Sequence, residues 1–210
     1  MLNGSSEMER NCYMAFDPAL ESIATLLSPL EIPWGFCGGW AIDLFLNRIT
    51  RSHKDVDIAV LRTDQRLIFD FLRQRGWLLE QAVAGKLYPF QEDEFLTLPI
   101  HAIWCQKADY RPAFLEVLLN ESDQDQFVFR REHSIRCRLE EAFSISPSGF
   151  PILAPEIALL YKSSAPSALS NRLDFESVLP RLSVQKRRWL IQALQSLSPD
   201  HIWLKDLGNP

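Results

Sequence analysis

Cys-Gly-Gly-Trp-Ala-Ile-Asp-Leu-Phe-Leu-Asn-Arg-Ile-Thr-Arg-Ser-His-Lys-Asp-Val-Asp-Ile-Ala-Val, residues Cys37 to Val60, is the stretch around which the rest of the chain is organised. Gly38 and Gly39 follow a short apolar run and open a helical pattern. In that context free backbone N–H groups can receive a phosphate. Asp55 and Asp57 flank Val56 and lead into Ile58-Ala59-Val60. This predicts that they stand at the start of a strand, and side chains at i and i+2 of a strand share a face. Two anions held that close raise one pKa unless a cation lies between them, and hard oxygen ligands suit Mg²⁺. A phosphate cradle beside a Mg²⁺-binding pair is the equipment of nucleotidyl transfer.

Composition sets the bounds. The 210 residues suffice for one sizeable domain, or for a catalytic domain with a helical appendage. With 47% hydrophobic and 23% charged residues the chain reads as globular, not disordered. A net charge of -5 gives no field favourable to nucleic acid, so a polymerase on a long template is not expected. Cys12, Cys37, Cys105 and Cys137 are scattered without C-x-x-C spacing and read as reduced thiols. Met1–Asn11 is polar and lacks the apolar centre of a signal peptide, and no apolar run approaches the ~18 residues of a membrane span. The expectation is a cytoplasmic protein.

The combination Gly38-Gly39-Trp40-Ala41-x-Asp43 followed by Thr50-Arg51-x-His53-x-Asp55-x-Asp57 resembles the signature of the small nucleotidyltransferases related to aminoglycoside and lincosamide resistance enzymes, within the DNA polymerase β-like superfamily. The clear match covers Gly35 to Val60, with a looser resemblance to about Leu160. It implies Asp55 and Asp57 as metal ligands for Mg²⁺, and Gly38 and Gly39 as the turn that admits the triphosphate. Many relatives carry Gly-Ser where this chain has Gly-Gly-Trp, so backbone amides take the phosphate role and Trp40 is a packing residue.

Arg51 and His53 also resemble family positions. Arg51 offers a fork suited to a phosphate, and His53 lies within reach of a carboxylate or a phosphate. Asp43 is expected to anchor their loop. The superfamily usually has a third carboxylate on a later strand, and the best candidate is Glu116, a charge inside Phe114-Leu115-Glu116-Val117-Leu118-Leu119. Relatives more often have Asp there. His101 is the rival polar residue in a strand-like run. Arg130, with Arg131 beside it, and Lys162 are basic where the looser resemblance is basic, and are assigned to the triphosphate or the leaving pyrophosphate.

Periodicity orders the elements. Helices are predicted over Pro18 to Leu30, capped by Asp17, over Trp40 to Leu46, closed by Asn47 in a left-handed conformation, and over Asp64 to Gly76. Strands are predicted at Trp34–Phe36, Val56–Leu61, Trp77–Val83 (an edge strand), Phe95–Trp104, Phe114–Asn120, Phe127–Phe129 and Phe143–Ile145. From Pro155 helices follow, over Glu156–Ser163, Leu173–Leu179 and Val184–Leu197. The expected fold is a mixed α/β sheet with helices on one side over residues 18–151, then a helical C-terminal region over 152–210.

Two functions stay open at this level. One is a Mg²⁺-dependent transfer of a nucleoside monophosphate, AMP from ATP, onto a hydroxyl of a small molecule, an aminoglycoside- or lincosamide-like compound. The other is a catalytically weak, nucleotide- or partner-binding member of the superfamily, like its antitoxin relatives. The position of Glu116 relative to Asp55 and Asp57 separates them.

Overall fold

The structure, a computed structural model, describes residues 16–208; Cys12 and the reading of Met1–Asn11 lie outside the described residues. Helix α1 (Pro18–Leu27) begins where the Asp17 carboxylate accepts a hydrogen bond from the Ala19 amide at 2.9 Å. Such a cap satisfies one of the amides left free at a helix start. Leu20, Ile23 and Leu27 recur at helical spacing and are buried.

Strand β1 (Trp34–Phe36) leads through Cys37 into helix α2 (Gly38–Leu46), which starts at the glycines themselves. Asn47 ends α2 at φ 53, the left-handed conformation expected of it. Strand β2 (Asp57–Leu61) follows the polar loop. It begins one residue later than Val56, so Asp57 opens the strand while Asp55 stands in the approach to it.

Helix α3 (Gln65–Arg73) is followed by strands β3 (Leu78–Val83) and β4 (Lys86–Tyr88), joined at Ala84-Gly85 with φ 49 and 77. Two consecutive positive φ angles are what a tight hairpin requires. The expected edge position of β3 is therefore wrong: β4 covers its outer side. The expected strand from Phe95 is also shorter, because β5 occupies only Ala102–Gln106. Pro99 has no amide for a ladder, and the Leu96 amide is taken by the buried Gln65 side chain at 2.8 Å.

Strand β6 (Phe114–Asp123) is the longest, and β7 (Gln126–Val128) and β8 (Arg136–Arg138) extend from its far end. A short helix, α4 (Leu139–Ala142), precedes strands β9 (Phe143–Ile145) and β10 (Pro151–Leu153). The main sheet runs β4-β3-β5-β6-β2-β1-β10-β9. Pairs β2–β6 and β1–β10 are parallel and the others antiparallel, so the sheet is mixed, as expected. Phe36, Ile58, Val60, Ile103 and Val117 are fully buried beneath it.

Helices α5 (Pro155–Lys162), α6 (Leu169–Val178), α7 (Val184–Leu197) and α8 (Leu204–Leu207) complete the described chain. Helix α6 begins four residues before the expected Leu173. Helices α5 and α6 pack on α2, and α7 on α5. A Lys186–Glu156 ion pair at 2.8 Å ties α7 to α5. Cys37 and Cys105 are buried and Cys137 half-buried, all reduced. Among the described residues no helix is long and apolar enough to cross a membrane.

Candidate active site

Register assembles the site. Asp57 on β2 is the partner of Glu116 on β6, and Glu116 is in turn opposite Trp104 on β5. Paired residues of neighbouring strands share a face, so Asp57 and Glu116 project side by side from strands about 4.8 Å apart. Asp55, two residues ahead of Asp57, is exposed at the entrance. The His101 carbonyl accepts from the Leu119 amide at 2.8 Å, three residues further along β6 than Glu116. The carboxylate beside Asp57 is thus Glu116, and His101 stands apart from it.

The carboxylates feel one another. Asp57 is pushed up from its ordinary 3.8 to about 7, first by burial, then by the charges of Glu116 and Asp55, against an opposing pull from Lys162. Burial also raises Glu116, with Asp55 adding to the effect, while a hydrogen bond donated by Trp104 Nε1 to Glu116 Oε1 at 3.1 Å opposes it. Asp57 Oδ1 is buried without a hydrogen-bond partner. An orphaned buried carboxylate oxygen next to a second carboxylate is a donor set suited to a hard divalent cation. Among the described residues no three His, Cys, Asp or Glu groups already close a ligand shell. Asp57 and Glu116 form the part in place, with Asp55 ahead of the strand.

The two glycines meet these side chains directly. Gly38 has φ +61, and a Cβ added there would lie 2.6 Å from Asp57 Oδ2. At Gly39 an added Cβ would run into the Arg51 guanidinium and the His53 ring. Glycine is therefore needed both for the left-handed turn and for the approach of three site residues to the start of α2. Cys37 precedes α2 without a side-chain cap, so no side chain covers the first amides of the helix from that position. Burial, with Asp57 and Glu116 nearby, raises the Cys37 thiol far above its usual range and keeps it neutral.

Arg51 and His53 are already engaged. Arg51 Nε and Nη2 donate to Asp174 of α6 at 3.0 and 3.1 Å. His53 Nε2 lies 2.6 Å from Asp43 Oδ2, within hydrogen-bond distance. Asp43 also receives the Thr50 amide and hydroxyl, which is the loop-anchoring role expected of it. Trp40 packs on His53 with ring centroids 4.1 Å apart, and its Nε1 donates to the Asp55 carbonyl at 3.1 Å. Trp40 thus packs as expected and also holds the backbone of the loop that carries Asp55.

The remaining basic candidates line a cavity of about 150 Å³ that extends from Gly38 over Ala59 and Leu118. Arg130, Arg131 and Lys162 bound it. Lys162 Nζ pairs with Asp174 at 2.8 Å, so this fully buried carboxylate receives both Lys162 and Arg51. Tyr161, also in the wall, donates its hydroxyl to Asn120 at 2.9 Å and carries Arg130 and Arg131 near its ring, each 5.4 Å from the centroid. Sequence reasoning missed Asp174, Trp104 and Tyr161. Each looks locally like an ordinary helix or strand residue.

A parallel-paired carboxylate couple beside a glycine-led helix start defines a nucleotidyltransferase. The family model for aminoglycoside-2''-adenylyltransferase matches residues 19–141, and the chain belongs to that family. Solved structures agree on the fold. The solution structure of the antibiotic-resistance factor ANT(2'')-Ia superposes with TM-score 0.58 at 14% identity, covering 87% of this chain and 92% of that one. ANT(2'')-Ia in complex with adenylyl-2''-tobramycin gives 0.56 at 14% identity, over 86% and 98%. The lincosamide adenylyltransferase LnuA bound to lincomycin gives 0.55 at 16% identity, over 78% and 96%. No curated protein matches the chain's sequence.

Proposed function

We propose that this enzyme transfers AMP from ATP, with Mg²⁺, to a hydroxyl of a small aminoglycoside- or lincosamide-like acceptor. The observation that carries the reading is the pairing of Asp57 with Glu116 in register, at the glycine turn that starts α2. Asp55, Asp57 and Glu116 would hold Mg²⁺, which when bound neutralises charge on the transferring phosphoryl group. The α2 amides at Gly38 and Gly39, with Arg130 and Lys162, hold the triphosphate. Arg51 and His53 back the turn from behind Gly39, fixed by Asp174 and Asp43.

In the transfer, the acceptor oxygen bonds to the α-phosphorus and the bond to pyrophosphate breaks, its electron pair leaving with pyrophosphate. The hydroxyl proton passes to Glu116. A carboxyl raised by burial is better matched to that proton at neutral pH than an ordinary one. Structural neighbours in complex with adenylyl-2''-tobramycin and with lincomycin support the acceptor class. The placement of Glu116 beside Asp57 favours catalysis over the binding-only alternative.

Calorimetric titration of MgATP into wild type and Asp57→Asn tests the site. Micromolar to millimolar binding by wild type and none by the variant is expected; equal affinity would remove Asp57 from the metal site.

A further inference from the structure

His101 lines the cavity with Gly38, Arg130, Arg131 and Lys162, and the transfer gives it no task. Its place is built with some care. Buried Arg62 donates from Nη1 to the Leu96 and Ile100 carbonyls at 3.0 and 2.9 Å, while its Nε is held by Glu121 near the end of β6. The His101 carbonyl is fixed in turn by the Leu119 amide at 2.8 Å. A buried guanidinium spent on two carbonyls of one loop sets the ring in position before any ligand arrives.

The ring's hydrogen bonding is asymmetric. Nδ1 lies 2.8 Å from the Pro99 carbonyl, and a carbonyl oxygen only accepts, so this bond puts the proton on Nδ1. Burial lowers the pKa of the ring, the Pro99 bond opposes that, and Arg130, Arg131 and Arg62 lower it further. The imidazole is therefore neutral at pH 7, and Nε2 is a bare lone pair. Among the described residues no group donates to it.

The other polar groups of the wall act differently. Arg130, Arg131 and Lys162 only donate. The Asn120 amide is spent, its nitrogen on the Val60 and Leu118 carbonyls at 3.3 and 2.9 Å and its oxygen on the Tyr161 hydroxyl. A phosphate oxygen would meet only repulsion at His101 Nε2, so that corner must receive a donor. Much of the remaining wall is apolar, with Ala59, Leu118, Leu119 and Leu153, which suits a flat ring. Distance then selects the donor. His101 pairs with Leu119, three residues beyond Glu116 on β6 and about 10 Å along the strand. Ribose hydroxyls stay within a few bonds of the reacting α-phosphate, whereas an amino group on the far edge of a base reaches that distance.

We propose that His101 selects the base of the nucleotide, its Nε2 accepting from an exocyclic amino group such as N6 of adenine. This rests on the nucleotidyl-transfer reading above. A keto oxygen at the same position, as in guanine, would face the lone pair and be rejected by repulsion.

Calorimetric titration with Mg²⁺ and ATP, purine riboside triphosphate, which lacks only the amino group, or 2′-deoxy-ATP tests the assignment. Wild type should bind ATP roughly 3- to 10-fold more tightly than purine riboside triphosphate, the worth of one hydrogen bond. His101→Phe keeps a ring without an acceptor and should bind the two alike. His101→Gln, whose amide oxygen can stand in for Nε2, should keep part of the preference. The ratio between ATP and 2′-deoxy-ATP should be the same in all three proteins. Three results would overturn the assignment while leaving nucleotide binding intact: a wild type indifferent to the amino group, a preference that survives in His101→Phe, or a preference for ribose that disappears there. If wild type binds none of the triphosphates, the nucleotidyl-transfer reading fails and the role of His101 falls with it.

Discussion

Replacing Asp57 by Asn should stabilise the metal-free protein while abolishing its metal-dependent function. Asp57 rises from 3.8 to about 7 in the folded chain. A group whose folded pKa lies above its unfolded value binds more protons when folded, so it costs stability as pH rises through that window, and the full cost is present above about 7. At about 1.36 kcal/mol per pH unit the ceiling is roughly 4 kcal/mol. Asn removes the charge but leaves a polar atom where Oδ1 has no partner, which retains about 1–3 kcal/mol of penalty. A net gain of roughly 1–3 kcal/mol at pH 8 is expected, or about 2–10 °C in Tm for a chain of this size. As pH falls to 4 the gain should vanish and become a loss of roughly 1–3 kcal/mol, because the wild-type carboxyl is then largely protonated and only the Asn penalty remains. Thermal melts of both proteins in EDTA between pH 4 and 8.5 measure it, and added Mg²⁺ should raise the wild-type Tm alone. A variant destabilised equally at every pH would refute the account of Asp57 as a charge held in place for a cation.

Glu116→Gln keeps the shape and the indole contact but removes the basic oxygen, so transfer in a single-turnover assay should fall by roughly 10²-fold, with MgATP affinity reduced less than in Asp57→Asn. Gly38→Ala meets both a left-handed φ and Asp57 Oδ2 at 2.6 Å; a loss of about 1–2 kcal/mol in urea denaturation is expected from the backbone alone, together with lost MgATP binding. Gly39→Ala cannot be absorbed by side-chain motion, because Arg51 is pinned by Asp174 and His53 by Asp43; Asp43→Asn, which loosens His53, should partly relieve it in the same assay. Asp174→Leu strands two mostly buried cations, Arg51 and Lys162, and a loss of about 2–4 kcal/mol is expected, below the full buried-pair range because both reach solvent, with a raised KM for ATP as Lys162 loses its orientation.

Local chemistry was legible in the sequence. The glycine turn, the helix after it, the Asn47 stop and the Asp55–Asp57 spacing all lie within about twenty residues and depend on backbone conformations that single residue types dictate. The family pattern followed from the same stretch. Asp43 as loop anchor was readable too, since its partners Thr50 and His53 are close along the chain. Strand ends were less so: a proline at 99 and a glutamine side chain on the Leu96 amide shortened a run that hydrophobicity alone extends. Tertiary structure decided everything that joins distant segments. Only the register of β5, β6 and β2 puts Trp104 on Glu116 and Glu116 beside Asp57. Only the docking of α6 brings Asp174 to Arg51 from 123 residues away, and onto Lys162. Side-chain alternation declares which residues share a face of one strand, but which strand lies next to which is fixed by packing of the whole sheet.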